Sequence, residues 1–351
     1  MSKKEHFTSL TSFRGLFIVM IVIYHLGNNF PQIGNGCLDW CYYWGGWLGN
    51  IFFFMASGFM ISYGYTEKIE EGSISFASFL KRRIVKILPL YLITNLICLG
   101  ISLITDGLDT LKFDELLSIL LMTASGWITD ITLYNVPTWF VCVLILIYIV
   151  YYFVAKMKHK NAELYYVLIA VMILYGRSLD VLRFQYPFMR RSDGQALYCF
   201  FIGVLLSEII SSRYVNLKKA LLVCVNSLTA IFLFWGIKFG MSQTASDVPM
   251  VLAFLIIPTV LLDGIFSKIV ITVMKCRPLV ALGKISMALF FIHGPWIALF
   301  HILLNQSIVI NAYLLYLVFW SSLIIVSGLV HVFLEPVLEN LFVKLFEKSV
   351  E

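Results

Sequence analysis

Apolar residues dominate this chain in long runs, and the runs are separated by short segments that hold most of the charged residues. A run of about 20 mainly apolar residues is long enough for an α-helix to cross the hydrocarbon core of a bilayer. The pattern predicts an all-α polytopic membrane protein with about ten spans, at residues 12–29, 47–65, 84–104, 136–155, 163–177, 196–210, 218–237, 249–267, 282–304 and 309–334. Polar interruptions and glycines leave the fifth and sixth spans short.

A shorter apolar run lies between the third and fourth predicted spans. Segment 113–127 has two acidic residues near its start, Asp114 and Glu115, and its apolar run is too short to cross a bilayer. This pattern is typical of a short helix at the outer interface, or of one that re-enters the membrane. We therefore expect an outer helix here, either packed over the bundle as a lid or lying in the interface.

Composition supports the membrane prediction and excludes an ordinary soluble domain. Of the 351 residues, 60% are hydrophobic and only 13% are charged, and the mean hydropathy is +0.89. The formal net charge is +6, and no nucleic-acid partner is expected. We expect a multi-pass protein of the plasma membrane, in contact with lipids, and the sequence leaves its oligomeric state open.

The distribution of Lys and Arg predicts how the chain is oriented. Cytoplasmic loops carry an excess of positive charge. With the N-terminus inside, 20 of the 26 Lys and Arg residues fall on the cytoplasmic side, and six fall outside, namely Lys112, Lys238, Arg177, Arg183, Arg190 and Arg191. We therefore predict a cytoplasmic segment at 1–11, a ten-helix membrane domain at 12–336 and a cytoplasmic tail at 337–351. The first apolar run is expected to stay in place as a span rather than to be cleaved as a signal peptide.

Two ionisable residues, Arg14 and His25, bracket the first span. They are eleven residues apart, and at ~3.6 residues per turn the two side chains share one face of the helix. Ionisable groups inside a membrane normally face a protein interior, a cavity or a pathway. For Arg14 alone a simple interfacial anchor is the better interpretation, but with His25 on the same face the pair predicts a buried site. A neutral imidazole there is suited to act as a general base.

The start of the third span carries a cluster of positive charges. Arg82 and Lys86 are four residues apart and Arg83 and Lys86 three apart, so their side chains are neighbours on a helix. Such neighbours are able to bind the phosphates of one ligand. The alternative is an anchor that follows the usual charge bias of cytoplasmic loops, and on this stretch alone it is favoured.

Four further residues are candidate substrate contacts. Ser57 lies in a segment whose small residues equally favour helix packing. His293 enters the membrane from the same side as Arg14, and a hydrogen-bonded core histidine is as good an interpretation as a catalytic one. Arg177 and Arg190 lie in the outer loop that defies the charge bias, which indicates either salt-bridged packing or recognition of an anionic acceptor. No spacing of His, Cys and carboxylates predicts a metal site.

Taken together, these residues resemble the acyltransferase-3 family of ten-helix integral-membrane O-acyltransferases, over residues 8–340. The resemblance rests on several motifs in a fixed order: Arg14 and His25, the FF-x-x-SGF run at 53–59, the basic pair Arg83 and Lys86, LGKIS followed by Ile292-His293, and the late Glu335-Pro336. The family usually has Arg where this chain has Lys86, a change that keeps the charge but loses the bidentate fork.

The resemblance implies an activity and roles for residues. The donor would be cytoplasmic acetyl-CoA, used as a cosubstrate with no permanently bound cofactor, and the acceptor a hydroxyl of a cell-surface or lipid-linked glycan. His25 would be the catalytic base, Arg14 would support donor binding or the reacting carbonyl, and Arg83 with Lys86, beside Arg82, would bind the phosphates of CoA.

Two other classes of function stay open at this point. A transporter or flippase for a glycan or lipid precursor also places charged residues inside a helical bundle. A sensor or scaffold without catalytic activity is the second alternative. The transporter is less favoured, because no pair of Gly/Pro-broken spans occupies matching places in two halves of the chain.

Overall fold

The computed structural model of the protein describes residues 3–27, 29–31, 39–124, 133–182, 186–211, 268, 272–305 and 311–348. Within these ranges the chain is helical and contains no β-strand. The helices are α1 (Lys3–Leu26), α2 (Asp39–Glu70), α3 (Phe76–Thr105), α4 (Phe113–Leu121), α5 (Trp139–Lys160), α6 (Ala162–Leu182), α7 (Arg191–Ser211), α8 (Arg277–Lys284), α9 (Ser286–Asn305), α10 (Ala312–Leu329) and α11 (Glu335–Lys348).

Seven segments of the described chain are long and apolar enough to cross a membrane. They are Thr8–Leu26, Cys41–Glu70, Phe76–Thr105, Val136–Lys160, Ala162–Leu182, Ser286–Leu304 and Ala312–Leu345. Each of them overlaps one of the predicted spans, and the prediction of a helical membrane protein is confirmed. The spans predicted at 218–237 and 249–267 lie outside the described residues.

Helix α7 contains the span predicted at 196–210 but is not among the seven. It carries Asp193, Gln195 and Glu208 on one helix, and most of its surface is buried, chiefly against α2 and α6. A helix that is surrounded by protein does not need an apolar face for lipid. Its position in the interior of the bundle explains why its sequence is less apolar than that of the other long helices.

Segment 113–127 forms a short helix where its residues are described. Helix α4 covers Phe113–Leu121 and ends at Met122, which adopts a left-handed conformation with φ 54°. Residues 125–127 of the predicted segment lie outside the described residues. The helix begins with Asp114 and Glu115 in its first turn, where carboxylates interact favourably with the helix dipole.

Two contacts between helices depend on glycine. On α2, a Cβ added to Gly58 would overlap the carbonyl oxygen of Phe200 on α7, and one added to Gly203 would overlap the carbonyl of Met55 in return. Small residues of this kind let the backbones of two membrane helices approach closely. The SGF sequence of the second span therefore fixes the position of α2 against α7, and with it the position of Ser57.

Two prolines and one π-helical turn shape the helices around the site. Pro89 lies inside α3 and Pro295 inside α9, where each removes one backbone hydrogen bond. Between α10 and α11 the chain forms a π-helical turn at Val330–Leu334. Single π-turns inside longer helices often occur at functional sites.

Candidate functional site

Arg14 and His25 lie on one helix but line different cavities. Arg14 lines a cavity of about 440 Å³ near the middle of α1, and His25 lines a separate cavity of about 190 Å³ near the end of the helix. Eleven residues of helix place their Cα atoms about 16 Å apart at ~1.5 Å per residue. At this distance Arg14 and His25 do not contact the same reacting atoms, so the two cavities are described separately.

The first cavity, which we call the basic cavity, carries most of the charge. Its lining includes the cations Arg14, Arg83, Lys86 and Lys284 and the carboxylates Glu335 and Glu339. Lys86 and Lys284 are exposed, whereas Arg14 and Arg83 are partly buried. With cations outnumbering carboxylates, this cavity is suited to an anionic ligand.

Arg83 is held in place by an aromatic ring. Its guanidinium donates a hydrogen bond to the hydroxyl of Tyr65, and its Cζ lies 4.5 Å from the centre of that ring. Its buried Nε has no hydrogen-bond partner within the described part of the chain. The neighbouring Arg82 is exposed and does not line the basic cavity.

The π-helical turn adds a histidine and a carboxylate to the basic cavity. His331 and Glu335 are four residues apart, and the His331 Nδ1 atom lies 2.7 Å from Glu335 Oε2. A spacing of four residues on a helix favours an ion pair between such side chains, and the observed contact is of that kind. What the sequence does not indicate is that both residues line the cavity that contains Arg14.

A second cavity, the aromatic cavity, leads inward from the basic one. It has a volume of about 180 Å³ and shares Arg14, Phe53, Ser57 and Tyr148 with the basic cavity. Its other walls are largely apolar, and they include Phe140, Phe290, Phe291 and the buried Ser286. The two cavities therefore adjoin, and the walls change from cationic in the basic cavity to largely aromatic and aliphatic in the aromatic cavity.

The third cavity, the histidine cavity, contains two imidazoles. The ring centres of His25 and His293 lie 5.2 Å apart. His293 is fully buried, and its Nδ1 lies 3.1 Å from the carbonyl oxygen of Leu289. A carbonyl only accepts hydrogen bonds, so Nδ1 carries the proton and Nε2 is left as an acceptor. That Nε2 has no partner among the described residues.

Phenylalanine rings separate the aromatic cavity from the histidine cavity. The ring of Phe290, which lines the aromatic cavity, lies 6.0 Å from that of His293 and 5.8 Å from that of Phe140. Phe53 and Phe140 are 6.5 Å apart. The barrier between the two cavities is therefore about one aromatic side chain thick at Phe290.

Asn135 lines the histidine cavity and was not singled out in the sequence. It precedes the first turn of the Val136–Lys160 span and is only 1% exposed. Its Oδ1 is buried without a hydrogen-bond partner in the described ranges, and a buried unpaired group of this kind costs about 1–3 kcal/mol. No spacing in the sequence places Asn135 beside His293, because the contact joins two distant parts of the chain.

Arg177 and Arg190 lie elsewhere, where α6 packs against α7. Arg177 Nη1 and Arg191 Nε lie 2.8 Å and 3.1 Å from the carboxylate of Asp180. The backbone N–H of Arg190 donates to Asp193 Oδ2 at 3.0 Å. Neither Arg177 nor Arg190 lines any of the three cavities. The contacts of Arg177 and Arg191 with Asp180 are those of the salt-bridged packing that the sequence left open beside anion recognition.

Of the residues singled out in the sequence, the structure therefore brings together Arg14, Ser57, Arg83 and Lys86 in one cavity, and His25 and His293 in another. Arg82, Arg177 and Arg190 lie outside both. Lys284, Tyr148 and Asn135 are additional lining residues. Within the described residues there is no cluster of His, Cys, Asp and Glu that would hold a metal ion.

A basic cavity, an adjoining apolar cavity and a histidine pair inside a helical membrane bundle are together suited to group transfer within a membrane. The sequence model of acyltransferase 3, described as an acyltransferase domain, matches residues 7–333. Since the match spans most of the chain, the protein belongs to the acyltransferase-3 family and is a membrane acyltransferase. No curated protein and no solved structure matches it.

Proposed function

We propose that the protein is an O-acetyltransferase of the plasma membrane, which moves an acetyl group from acetyl-CoA to a hydroxyl of a cell-surface or lipid-linked glycan. The observation that carries the proposal is the arrangement of the cavities. A cationic cavity adjoins an apolar cavity whose Phe290 contacts the buried His293, and a separate cavity contains His293 together with the partly buried His25. This arrangement provides separate places for an anionic donor and for an alcohol.

The basic cavity would hold the phosphates of CoA. Arg83 is the best-placed cation, because Tyr65 fixes its guanidinium and its buried Nε still lacks a partner. Arg14, Lys86 and Lys284 add positive charge around it. Arg14 would act on the donor rather than on the reacting carbonyl, because its cavity is separate from that of His25.

The uncharged pantetheine arm would lie in the aromatic cavity. Its walls of Phe53, Phe140 and Phe290 suit an uncharged chain and exclude water. The thioester would then meet the acceptor beside Phe290, the ring that separates it from His293. A side-chain rotation of Phe290 would be enough to join the two cavities.

His25 would act as the general base in a direct transfer. It removes the proton of the acceptor hydroxyl while that oxygen forms a bond to the carbonyl carbon of the thioester. The carbon–sulfur bond then breaks, and the proton passes from His25 to the departing thiolate, which leaves as CoA. The described lining of the histidine cavity holds no Lys or Arg, so neutral hydrogen-bond donors would have to stabilise the oxyanion.

The orientation follows from the donor. Acetyl-CoA is a cytoplasmic metabolite, so the basic cavity would open to the cytoplasm and the histidine cavity would receive its acceptor from the outer side. This agrees with the orientation predicted from the Lys and Arg distribution, in which Arg83, Lys86 and Lys284 lie near cytoplasmic loops.

The experiment that tests this function uses the purified protein in lipid nanodiscs. Acetyl-CoA with a radioactive acetyl group is mixed with total surface and lipid-linked glycans from the producing cells, and the label on the glycans is counted. His25→Ala should lose about a hundredfold or more of the transfer rate. His301→Ala is the matched control, because His301 is an exposed histidine on α9. Full activity of His25→Ala, or no labelling by the unaltered protein, would overturn the proposal.

A further inference from the structure

Asn135 is fixed in the wall of the histidine cavity by its own backbone. Its N–H donates to Asn95 Oδ1 at 3.0 Å, and its carbonyl accepts from Thr138 Oγ1 at 2.7 Å. Asn95 Nδ2 in turn donates to Thr138 Oγ1 at 3.1 Å. All three residues are buried. The network holds the backbone of Asn135 in a single position before the substrate arrives.

A proline on α9 fixes the side chain of Asn135 as well. Pro295 has no N–H, so the carbonyl of Phe291, four residues earlier, lacks its usual partner in the helix. Asn135 Nδ2 donates to that carbonyl at 3.0 Å. The bond determines which end of the amide is nitrogen, because a carbonyl accepts and does not donate. Asn135 Oδ1 is therefore the atom left to bind something else.

The second atom to consider is Nε2 of His293. Asn135 Oδ1 packs against Gly294, the residue next to His293, where an added Cβ would overlap the oxygen. Both Oδ1 and Nε2 are buried, both are hydrogen-bond acceptors, and neither has a donor among the described residues. Both belong to side chains that line the cavity with His25.

We propose that the histidine cavity recognises its acceptor as a polyol, through hydroxyls on neighbouring carbons. The reacting hydroxyl donates a hydrogen bond to the imidazole of His25. The hydroxyl on the neighbouring carbon donates to Asn135 Oδ1, and a third hydroxyl, on the carbon after that, donates to His293 Nε2. This inference rests on the proposed function and adds to it the feature of the acceptor that is recognised, a hydroxyl beside the reacting one, and two specificity-determining residues. A monohydric alcohol would leave both buried acceptors unpaired and would bind poorly.

The chemistry of the step is unchanged by this recognition. The reacting O–H bond breaks, the new oxygen–carbonyl bond forms, the carbon–sulfur bond breaks, and His25 carries the proton to the thiolate. The neighbouring hydroxyls keep their protons. Asn135 and His293 therefore contribute to acceptor binding and alignment, and Asn135 takes no part in proton transfer.

A pair of small alcohols of the same carbon skeleton tests the proposal on the full chain in nanodiscs. The probes are 1,2-propanediol and 1-propanol, supplied as acceptors with acetyl-CoA, and the esters are measured by mass spectrometry. The unaltered protein should show a kcat/KM for the diol that is about tenfold or more above that for 1-propanol. If neither alcohol is acetylated, the concentration of each alcohol that halves glycan acetylation is measured instead, and the diol should inhibit at about a tenfold lower concentration than 1-propanol.

The variant Asn135→Leu keeps a similar side-chain volume and removes both polar atoms. It should reduce the preference for the diol to about unity, with an unchanged KM for acetyl-CoA, since the donor cavity is untouched. Asn135→Leu leaves the Phe291 carbonyl unpaired, and the double variant Asn135→Leu/Pro295→Ala restores a backbone N–H for that carbonyl. The double variant should also lack the preference for the diol. If the role of Asn135 were merely structural, the double variant would regain that preference.

Three results would overturn the inference. They are equal use or equal inhibition of the two alcohols by the unaltered protein, no effect of the diol in either assay, and a diol preference that survives in Asn135→Leu. The proposed function fails in a different experiment, by loss of its dependence on His25 with the cells' own glycans. Glycan acetylation that depends on His25 together with indifference to the diol would refute this inference alone.

Discussion

At the scale of single residues, Arg14 and His25 show what spacing predicts and what it omits. The spacing of eleven residues predicts one site for the pair, whereas the structure places the two residues in the linings of different cavities. The spacing does not indicate that the rings of Phe53, Phe140 and Phe290 lie between the two cavities. Those rings come from three helices that are distant in sequence, and periodicity within one helix carries no information about them.

The two residues should therefore affect different steps. Arg14→Ala is expected to weaken acetyl-CoA binding by about tenfold or more, because it removes a partly buried cation from the donor cavity. His25→Ala should bind acetyl-CoA with nearly unchanged affinity, because it lies beyond the phenylalanine rings. Isothermal titration calorimetry of each purified variant measures both affinities. Equal losses of affinity in the two variants would show that they share one site.

The neighbouring arginines Arg82 and Arg83 form a matched pair for the donor cavity. Arg83→Ala should raise the KM for acetyl-CoA by about tenfold, since charge-assisted contacts to a phosphate are lost. Arg82→Ala changes the same formal charge at an exposed position outside the cavity and should leave KM within about twofold of the unaltered value. Steady-state kinetics with varied acetyl-CoA measures the two effects, and a larger effect at Arg82 would contradict the assignment of the cavity.

At the scale of helices, the packing of α2 against α7 depends on Gly58. Gly58→Ala should lower the thermal stability of the detergent-solubilised protein, at a cost of about 1–3 kcal/mol, because the new methyl group meets the backbone of Phe200. Gly64→Ala on the same helix is the control, since nothing lies within 4 Å of its added Cβ. That change should be neutral or stabilise by up to about 1 kcal/mol.

Thermal unfolding followed by intrinsic fluorescence compares the two variants directly. A larger loss of stability for Gly64→Ala than for Gly58→Ala would contradict the packing described here. Ser57 precedes Gly58 and lines the same passage as Arg14, so the Gly58 variant should also lose activity. Activity that falls only in proportion to the folded fraction would indicate packing alone.

The long apolar helices were predictable because their pattern is local. Runs of apolar residues identify α1, α2, α3 and α5 without reference to the rest of the chain. Helix α7 is harder to recognise as a membrane helix, because it contains the polar residues Asp193, Gln195 and Glu208. These residues are accommodated because the helix is surrounded mainly by other helices. The π-helical turn that brings His331 and Glu335 to the basic cavity has no signature in the sequence.

Asn135 shows most clearly why part of the site escaped sequence reasoning. Pro295 by itself predicts an unpaired carbonyl at Phe291, but the donor that satisfies this carbonyl lies 156 residues away along the chain. Only the folded chain shows that this donor is the side-chain amide of Asn135, whose oxygen is then left unpaired near His293. Contacts of this kind depend on tertiary packing and are invisible to local pattern.

At the scale of the whole molecule, the proposed function requires two entrances that lead to one histidine pair. Acetyl-CoA would enter through the basic cavity, and the acceptor through the histidine cavity on the opposite side of the bundle. The orientation predicted from Lys and Arg assigns these entrances to the cytoplasm and the exterior. Such an enzyme would transfer an acetyl group between molecules that never occupy the same compartment.

Transfer across the membrane of proteoliposomes tests whether the two substrates reach the protein from opposite sides. Impermeant acetyl-CoA carrying a labelled acetyl group is added outside vesicles, and soluble oligosaccharides released from the producing cells are either enclosed in the lumen or added outside with it. We expect labelled oligosaccharide when the two substrates are on opposite sides, none in vesicles with His25→Ala, and little when both are outside. Transfer that requires both substrates on the same side of the membrane would contradict this expectation.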